Sequence, residues 1–205
     1  MLYQPQKFDN LLGTPGFSDL LLKNHFTLYE GYVKNINKLV DDLKEAERGG
    51  WLGTPGYAEL KRRFGWEWNG MRLHELYFGN MSKTPTRLEE SKIPSKVEGT
   101  KKATLTEEIN RVYGSYENWE KDFKAVGAMR GIGWTILYQD TVSKELFNVW
   151  VNEHDMGHLA GCKPMLVLDV FEHAYIGDYG LRRADYIEAF FRAIDWLVLE
   201  GRFDK

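Results

Sequence analysis

From Leu21 onward, apolar and ring-bearing side chains recur at positions 21, 22, 25, 28, 29, 32, 33, 36, 39, 40 and 43. This is the i, i+3, i+4, i+7 spacing of a helix with one buried face. The pattern continues until Arg48-Gly49-Gly50 stops it. A helix of that length needs a partner of similar length to cover its stripe. Leu73, His74, Tyr77, Phe78 and Met81 mark one face of a second helix, so the spacing predicts an antiparallel helical hairpin. Leu11–Phe17 and Trp51–Tyr57 share a Gly-Thr-Pro-Gly core just ahead of the two helical patterns, which reads as turn chemistry rather than as a repeat architecture.

The stretch SKIPSKVEGTKKAT, residues 91–104, is rich in Lys, Ser, Pro and Gly and marks a boundary. It divides the chain into an N-terminal helical hairpin domain, 1–90, and a C-terminal α/β domain, 91–205. Thr104 and Glu107 match a capping box opening a helix through Val112, and a further helix starts near Tyr116. Three short runs rich in β-branched and aromatic residues begin at Trp134, Leu146 and Met165 and predict three strands. A last amphipathic pattern from Arg183 to about Leu199 predicts one closing helix. The fold class expected is α+β.

Charge and composition narrow the function classes. A net charge of -3 without any long basic run offers no field for phosphate, so nucleic acid is not an expected partner. No apolar stretch approaches the roughly 20 residues needed to cross a bilayer, and MLYQPQKFDN lacks the basic-then-apolar order of a signal peptide. The single cysteine, Cys162, rules out an internal disulfide framework. A cytoplasmic protein is expected.

The chain has five histidines: His25, His74, His154, His158 and His173. His25 and His74 lie on the stripes of the two hairpin helices and point inward. Either could be an ordinary core histidine bonded to a neighbour. VLDVFEHAYI, residues 167–176, adds Asp169 at the end of a buried strand and His173 four residues later. A carboxylate there carries a large desolvation cost unless a cation or donor offsets it. Three imidazoles and one carboxylate would suit a first-row metal. Alternatively, Asp169 accepts backbone N–H groups and His173 pairs with Glu172.

These residues carry a resemblance to the iron/manganese superoxide dismutase family. Residues 169–175, Asp-Val-Phe-Glu-His-Ala-Tyr, are similar to the family's Asp-x-Trp-Glu-His-Ala-Tyr. Gly-Ile-Gly-Trp at 131–134 resembles Gly-Ser-Gly-Trp, and Tyr-Val-Lys-Asn-Ile-Asn at 32–37 resembles Tyr-Val-x-Asn-x-Asn. Residues 182–187 and 193–196 resemble the family's C-terminal helix. The resemblance implies a helical hairpin followed by an α/β lobe with a three-stranded antiparallel sheet. It also implies one Fe or Mn ion on His25, His74, Asp169 and His173. Its reaction converts superoxide, the substrate, to dioxygen and hydrogen peroxide by redox cycling of that ion. A homodimer, or a tetramer, is implied as well. A metal-binding protein of the same fold with a structural or binding role is the alternative. A non-haem iron oxygenase is a third reading, weakened by the third histidine.

Departures from the family pattern set further expectations. The family places a Gln beside the metal-bound solvent from one of two positions, which here hold Gly70 and His154. His154 is expected to take that place, beside Trp134. Gly70 removes the arrangement typical of iron members and His154 is not the usual manganese arrangement either, and the expectation leans to iron. Tyr32 is expected as the gateway tyrosine although it follows His25 by seven residues rather than eight, so a local change of helical winding is expected between them. Tyr29 replaces a family His at the dimer interface, and Ile176 replaces its Tyr partner. Glu172 is expected to reach the partner subunit's metal-ligating His. Phe78 and Phe171 stand for family tryptophans around the metal, and His158 is left without a role.

Overall fold

The structure is a computed structural model and describes residues 2–88 and 103–203. Helix α1 spans Asp19–Arg48, where the Ser18 side chain accepts the Leu21 N–H as N-cap, a contact worth about 1 kcal/mol. Helix α2 spans Pro55–Gly79, with Thr54 as its cap. The two Gly-Thr-Pro-Gly copies therefore do different work. The second supplies the cap and the first residue of α2, whereas the first forms a turn ahead of α1. The helices pack together as the expected hairpin, with α2 beginning eighteen residues before Leu73 (73 − 55). The expected domain boundary at 90/91 lies outside the described residues.

Helix α3, Leu105–Tyr113, opens on the expected capping box between Thr104 and Glu107. Helix α4, Tyr116–Gly127, packs on α3 and on the sheet. Strands β1, Gly133–Asp140, β2, Leu146–Asn152, and β3, Cys162–Asp169, form an antiparallel sheet in the order β2-β1-β3. The central β1 is buried along almost its whole length, which explains its continuous apolar run. Gly133 holds φ +142°, and a Cβ there would sit 2.1 Å from the Val151 carbonyl oxygen. Only glycine fits, and it sets Trp134 opposite Val151 on one side and Asp169 on the other.

After a 3-10 turn at Glu172–Ala174 come the one-turn helix α5, Ile176–Tyr179, then α6, Arg183–Ala193, and α7, Trp196–Arg202. The single closing helix expected over 183–199 is thus two. Ile194 turns extended and bridges to Met81, the Asp195 N–H donates to the Asn80 carbonyl, and the Asp195 side chain caps α7. Apolar periodicity continues across the break because both pieces cover the same core. Asn80 and Arg202 tie the hairpin to the sheet. The Asn80 Nδ2 donates to the Val167 carbonyl at 2.6 Å and Arg202 to the Met165 carbonyl at 2.8 Å. The last residue of β3, Asp169, thereby lies beside His25 near the start of α1 and His74 near the end of α2.

Candidate metal centre

His25 from α1, His74 from α2, Asp169 ending β3 and His173 in the following 3-10 turn converge so that one ligand atom from each lies within 4.8 Å of all the others. Three of the residues are buried, and His173 keeps a partly open side chain. The Nε2 atoms of His25, His74 and His173 stand 3.2, 3.6 and 3.2 Å from a single oxygen, Asp169 Oδ2. The other carboxylate oxygen, Oδ1, accepts the Phe171 N–H at 2.8 Å. Of the earlier alternative, one half is present, since Asp169 accepts a backbone N–H, but His173 pairs with Asp169 rather than with Glu172.

Protonation can be followed atom by atom. The Gly70 carbonyl can only accept, so the His74 Nδ1 that meets it carries the proton and Nε2 is a bare lone pair. That lone pair is buried, has no hydrogen-bond partner, and faces a carboxylate oxygen. Burial, reinforced by His25, holds His74 well below the usual imidazole range, so protonation is no remedy. Burial likewise lowers His25, although Asp169 opposes the shift. Burial alone would raise the Asp169 carboxyl, but His173 and His25 override it and hold it below the normal range. Two electron-rich atoms facing each other in a dry site call for a cation between them. Imidazole nitrogen and carboxylate oxygen suit iron or manganese.

Around this cluster lies an aromatic wall. Phe78 packs edge-on to His25 at 4.9 Å and Phe171 stacks on His173 at 5.3 Å. The Tyr32 ring stacks on His74 at 5.2 Å. It reaches there from position i+7 of an α1 that is α-helical throughout, so the expected local change of winding does not occur. Space for the ring comes from Gly70, where a Cβ would approach Tyr32 Cδ1 to 2.5 Å. His154, in the β2–β3 connection, is fully buried. Its Nε2 is 2.7 Å from the Tyr32 hydroxyl and its Nδ1 is 3.1 Å from Trp134 Nε1. An indole N–H only donates, so Nδ1 accepts and Nε2 carries the proton. His154 therefore donates to Tyr32, and the phenolic proton of Tyr32 is left free for another acceptor. Burial lowers His154 to about 4, in keeping with a neutral ring.

Tyr29, expected at the dimer interface, finds its hydrogen-bond partners within its own chain. It is fully buried inside the subunit, where its hydroxyl accepts the Gln6 N–H at 2.9 Å and donates to Glu75 at 3.0 Å. Both hydrogen bonds of the Tyr29 hydroxyl are thus satisfied within the subunit. Glu172 and Ile176 are exposed. Three contributors had no sequence signal strong enough to find them. Phe8 packs on Phe78 at 4.9 Å from the N-terminal segment, Trp66 meets the His154 ring at 4.7 Å, and His158 bonds to the His154 carbonyl at 2.8 Å. Only the periodicity of α2 could have flagged Trp66, since it lies eight residues before His74.

A helical hairpin set against a three-stranded antiparallel sheet, with three imidazoles and one carboxylate gathered where they meet, defines a protein organised around one buried cluster of metal-ligating side chains. Residues 101–202 match the family described as iron/manganese superoxide dismutases, C-terminal domain. The chain is 35% identical to superoxide dismutase [Mn] 2 of Haloferax volcanii over 98% of its own length and 93% of that protein's. It is 31% identical to superoxide dismutase [Fe] of Sulfolobus acidocaldarius over 98% and 91% of the two lengths. It is 33% identical to superoxide dismutase [Fe] of Aquifex pyrophilus over 93% and 85%. The chain belongs to the iron/manganese superoxide dismutase family.

Proposed function

We propose that His25, His74, Asp169 and His173 hold the one Fe or Mn ion with which this superoxide dismutase, an oxidoreductase, acts on superoxide. The observation that carries the ligand assignment is the bare, buried Nε2 of His74 facing Asp169 Oδ2 at 3.6 Å with no donor between them. Bound there, the ion supplies a one-electron couple that takes an electron from one superoxide and returns it to another, so two superoxide ions and two protons become dioxygen and hydrogen peroxide.

The chain's own residues orient, exclude water and hand over protons. Tyr32 remains a phenol at neutral pH, because burial and then the charges of Asp169 and Glu67 push it up to about 12. Such a phenol gives its proton only to a strong base, which a twice-reduced dioxygen is. His154 donates to the same oxygen, offsetting the charge that appears on Tyr32 when its proton leaves and steadying the ring for reprotonation. Trp134 locks the tautomer of His154 that makes this possible. Phe78, Phe171 and Phe8 keep the surroundings dry, which strengthens every one of these contacts.

The donor set serves iron and manganese alike, and relatives named for each span the chain. The lean toward iron rests only on His154, which is not the usual manganese arrangement, and Gly70 counts against it. We propose a homodimer, with a tetramer as its further assembly. The support is the 27% exposure of the His173 side chain beside exposed Glu172, an open edge of the cluster that a second copy bearing Glu172 would cover. A cytoplasmic place is proposed from the lone, unpaired Cys162. Among the described residues no helix is long and apolar enough to cross a membrane.

Metal analysis with stopped-flow superoxide consumption tests the proposal on wild type, His74→Ala and Asp169→Ala. One Fe or Mn ion per active chain, with both ion and activity lost in the variants, is expected. Variants that keep their metal and their activity would overturn the ligand set. A wild type that holds the ion and consumes no superoxide would leave a binding role instead.

A further inference from the structure

His154 sits in an irregular connection, and something must hold that connection still if its ring is to meet Trp134 and Tyr32 at hydrogen-bond distance. Glu153 adopts a left-handed φ of +52°, a conformation that costs a non-glycine residue free energy and persists only where its surroundings enforce it. One constraint is the short bridge in which the Asn152 N–H donates to the Met156 carbonyl at 3.0 Å. The other is His158. Its Nε2 lies 2.8 Å from the His154 carbonyl oxygen, which only accepts, so Nε2 carries the proton. With the ring proton on Nε2, Nδ1 is left to accept the Tyr138 O–H at 2.6 Å.

Tyr138 is a rigid anchor. It stands in the central strand β1 at 2% exposure, where the pairing with β3 shifts register between Leu137 and Tyr138. The four contacts share one direction of donation. Tyr138 donates to His158, His158 to the His154 backbone, Trp134 to the His154 ring, and His154 to Tyr32. Trp134 and Tyr138 both belong to β1, so one strand fixes His154 twice, through its ring and through its backbone.

We propose that His158, held by Tyr138, is a positioning residue for the dismutase reaction, setting the height and angle at which the His154 imidazole meets the Tyr32 hydroxyl. The proposal rests on the reading that His154 and Tyr32 serve the reaction. Neither His158 nor Tyr138 reaches the metal-ligating cluster, and both act only through His154.

The test uses metal-loaded protein in four forms: wild type, His158→Leu, His158→Gln and Tyr138→Phe. Leucine removes both hydrogen bonds. Glutamine keeps a donor for the carbonyl and an acceptor for Tyr138. Phenylalanine removes only the anchor. Expected for His158→Leu are unchanged metal content, faster amide exchange across residues 153–161, a displaced alkaline limb in the pH profile of activity, and a kcat lower on the order of tenfold, as misplacement of a reacting group produces. His158→Gln restores both the profile and the exchange, and Tyr138→Phe shifts them in the same direction by less. His158→Leu with wild-type exchange and pH profile would overturn the proposal. Should that variant fail to fold, unchanged exchange and profile in Tyr138→Phe would overturn it equally. Amide exchange needs no turnover, so a protein in which His154→Ala leaves the activity intact would refute the role of His154 separately, while the exchange result still decides whether His158 holds the loop.

Discussion

Gly70 offers a sharp test of how the site is packed, because two effects of known sign oppose each other there. It lies inside α2, and replacing an interior helical glycine with alanine ordinarily stabilises by about 1 kcal/mol. The added Cβ, however, would stand 2.5, 2.7 and 2.9 Å from Tyr32 Cδ1, Cε1 and Cγ. No real contact is that short, and the neighbour is a flat ring stacked on His74, so it must move bodily. Overpacking of this kind costs about 1–3 kcal/mol. Gly70→Ala should therefore change stability by about 0 to 2 kcal/mol, always toward destabilisation, while breaking the 2.7 Å contact between Tyr32 and His154. In a Tyr32→Ala background the obstacle is gone and the same change should stabilise by about 1 kcal/mol. Urea denaturation of the four proteins at matched metal loading closes the cycle. Its coupling free energy should be about 1–3 kcal/mol, and a value under about 0.5 kcal/mol, the limit of additivity for independent sites, would refute the packing. Superoxide consumption by Gly70→Ala should fall although the protein remains folded.

Three further outcomes follow from the geometry. His154 has a folded-state value of about 4 against an ordinary 6.5, so the unfolded chain binds the extra proton first. Its contribution of about 3 kcal/mol is complete above pH ~6.5 and gone by pH ~4, visible as the difference between wild type and His154→Gln in denaturant melts across that window. Loading metal-free protein with Mn²⁺ at about 100 times its dissociation constant should add about 2.7 kcal/mol, or about 5–10 °C in Tm, and Asp169→Ala should abolish the gain in differential scanning calorimetry. Glu172→Ala should weaken the proposed dimer about tenfold in sedimentation equilibrium, a loss of about 1.4 kcal/mol, and an unchanged association constant would remove Glu172 from the interface.

The fold was largely legible because its elements obey simple periods. The stripe of α1, the capping box of α3 and the apolar run of β1 each have one physical reading, and the structure bears out all three. The break at Ile194-Asp195 was not legible, since it depends on Asn80 and Met81, more than a hundred residues away, to satisfy the backbone. At the site, the convergence of His25, His74, Asp169 and His173 could be read from inward placement and from the cost of burying Asp169. The surroundings could not. The partners of the Tyr29 hydroxyl, Glu75 and Gln6, lie in other segments and leave no local signal. His158 looked idle because a histidine in a loop carries no periodic signal, and only the position of Tyr138 gives it work.

Sequence distance within the metal-ligating cluster has a temporal consequence. His25 and His74 are both made early, but Asp169 comes 95 residues after His74 (169 − 74) and His173 four later. Until that last stretch has left the ribosome and β3 has docked, the early pair has no carboxylate to face, and closing so long a loop is slow. The growing chain thus lacks the complete set of four ligands until residue 173 has been made. The full donor set therefore exists only once the sheet has settled against the hairpin, so assembly of the site and docking of the two parts of the fold are one event.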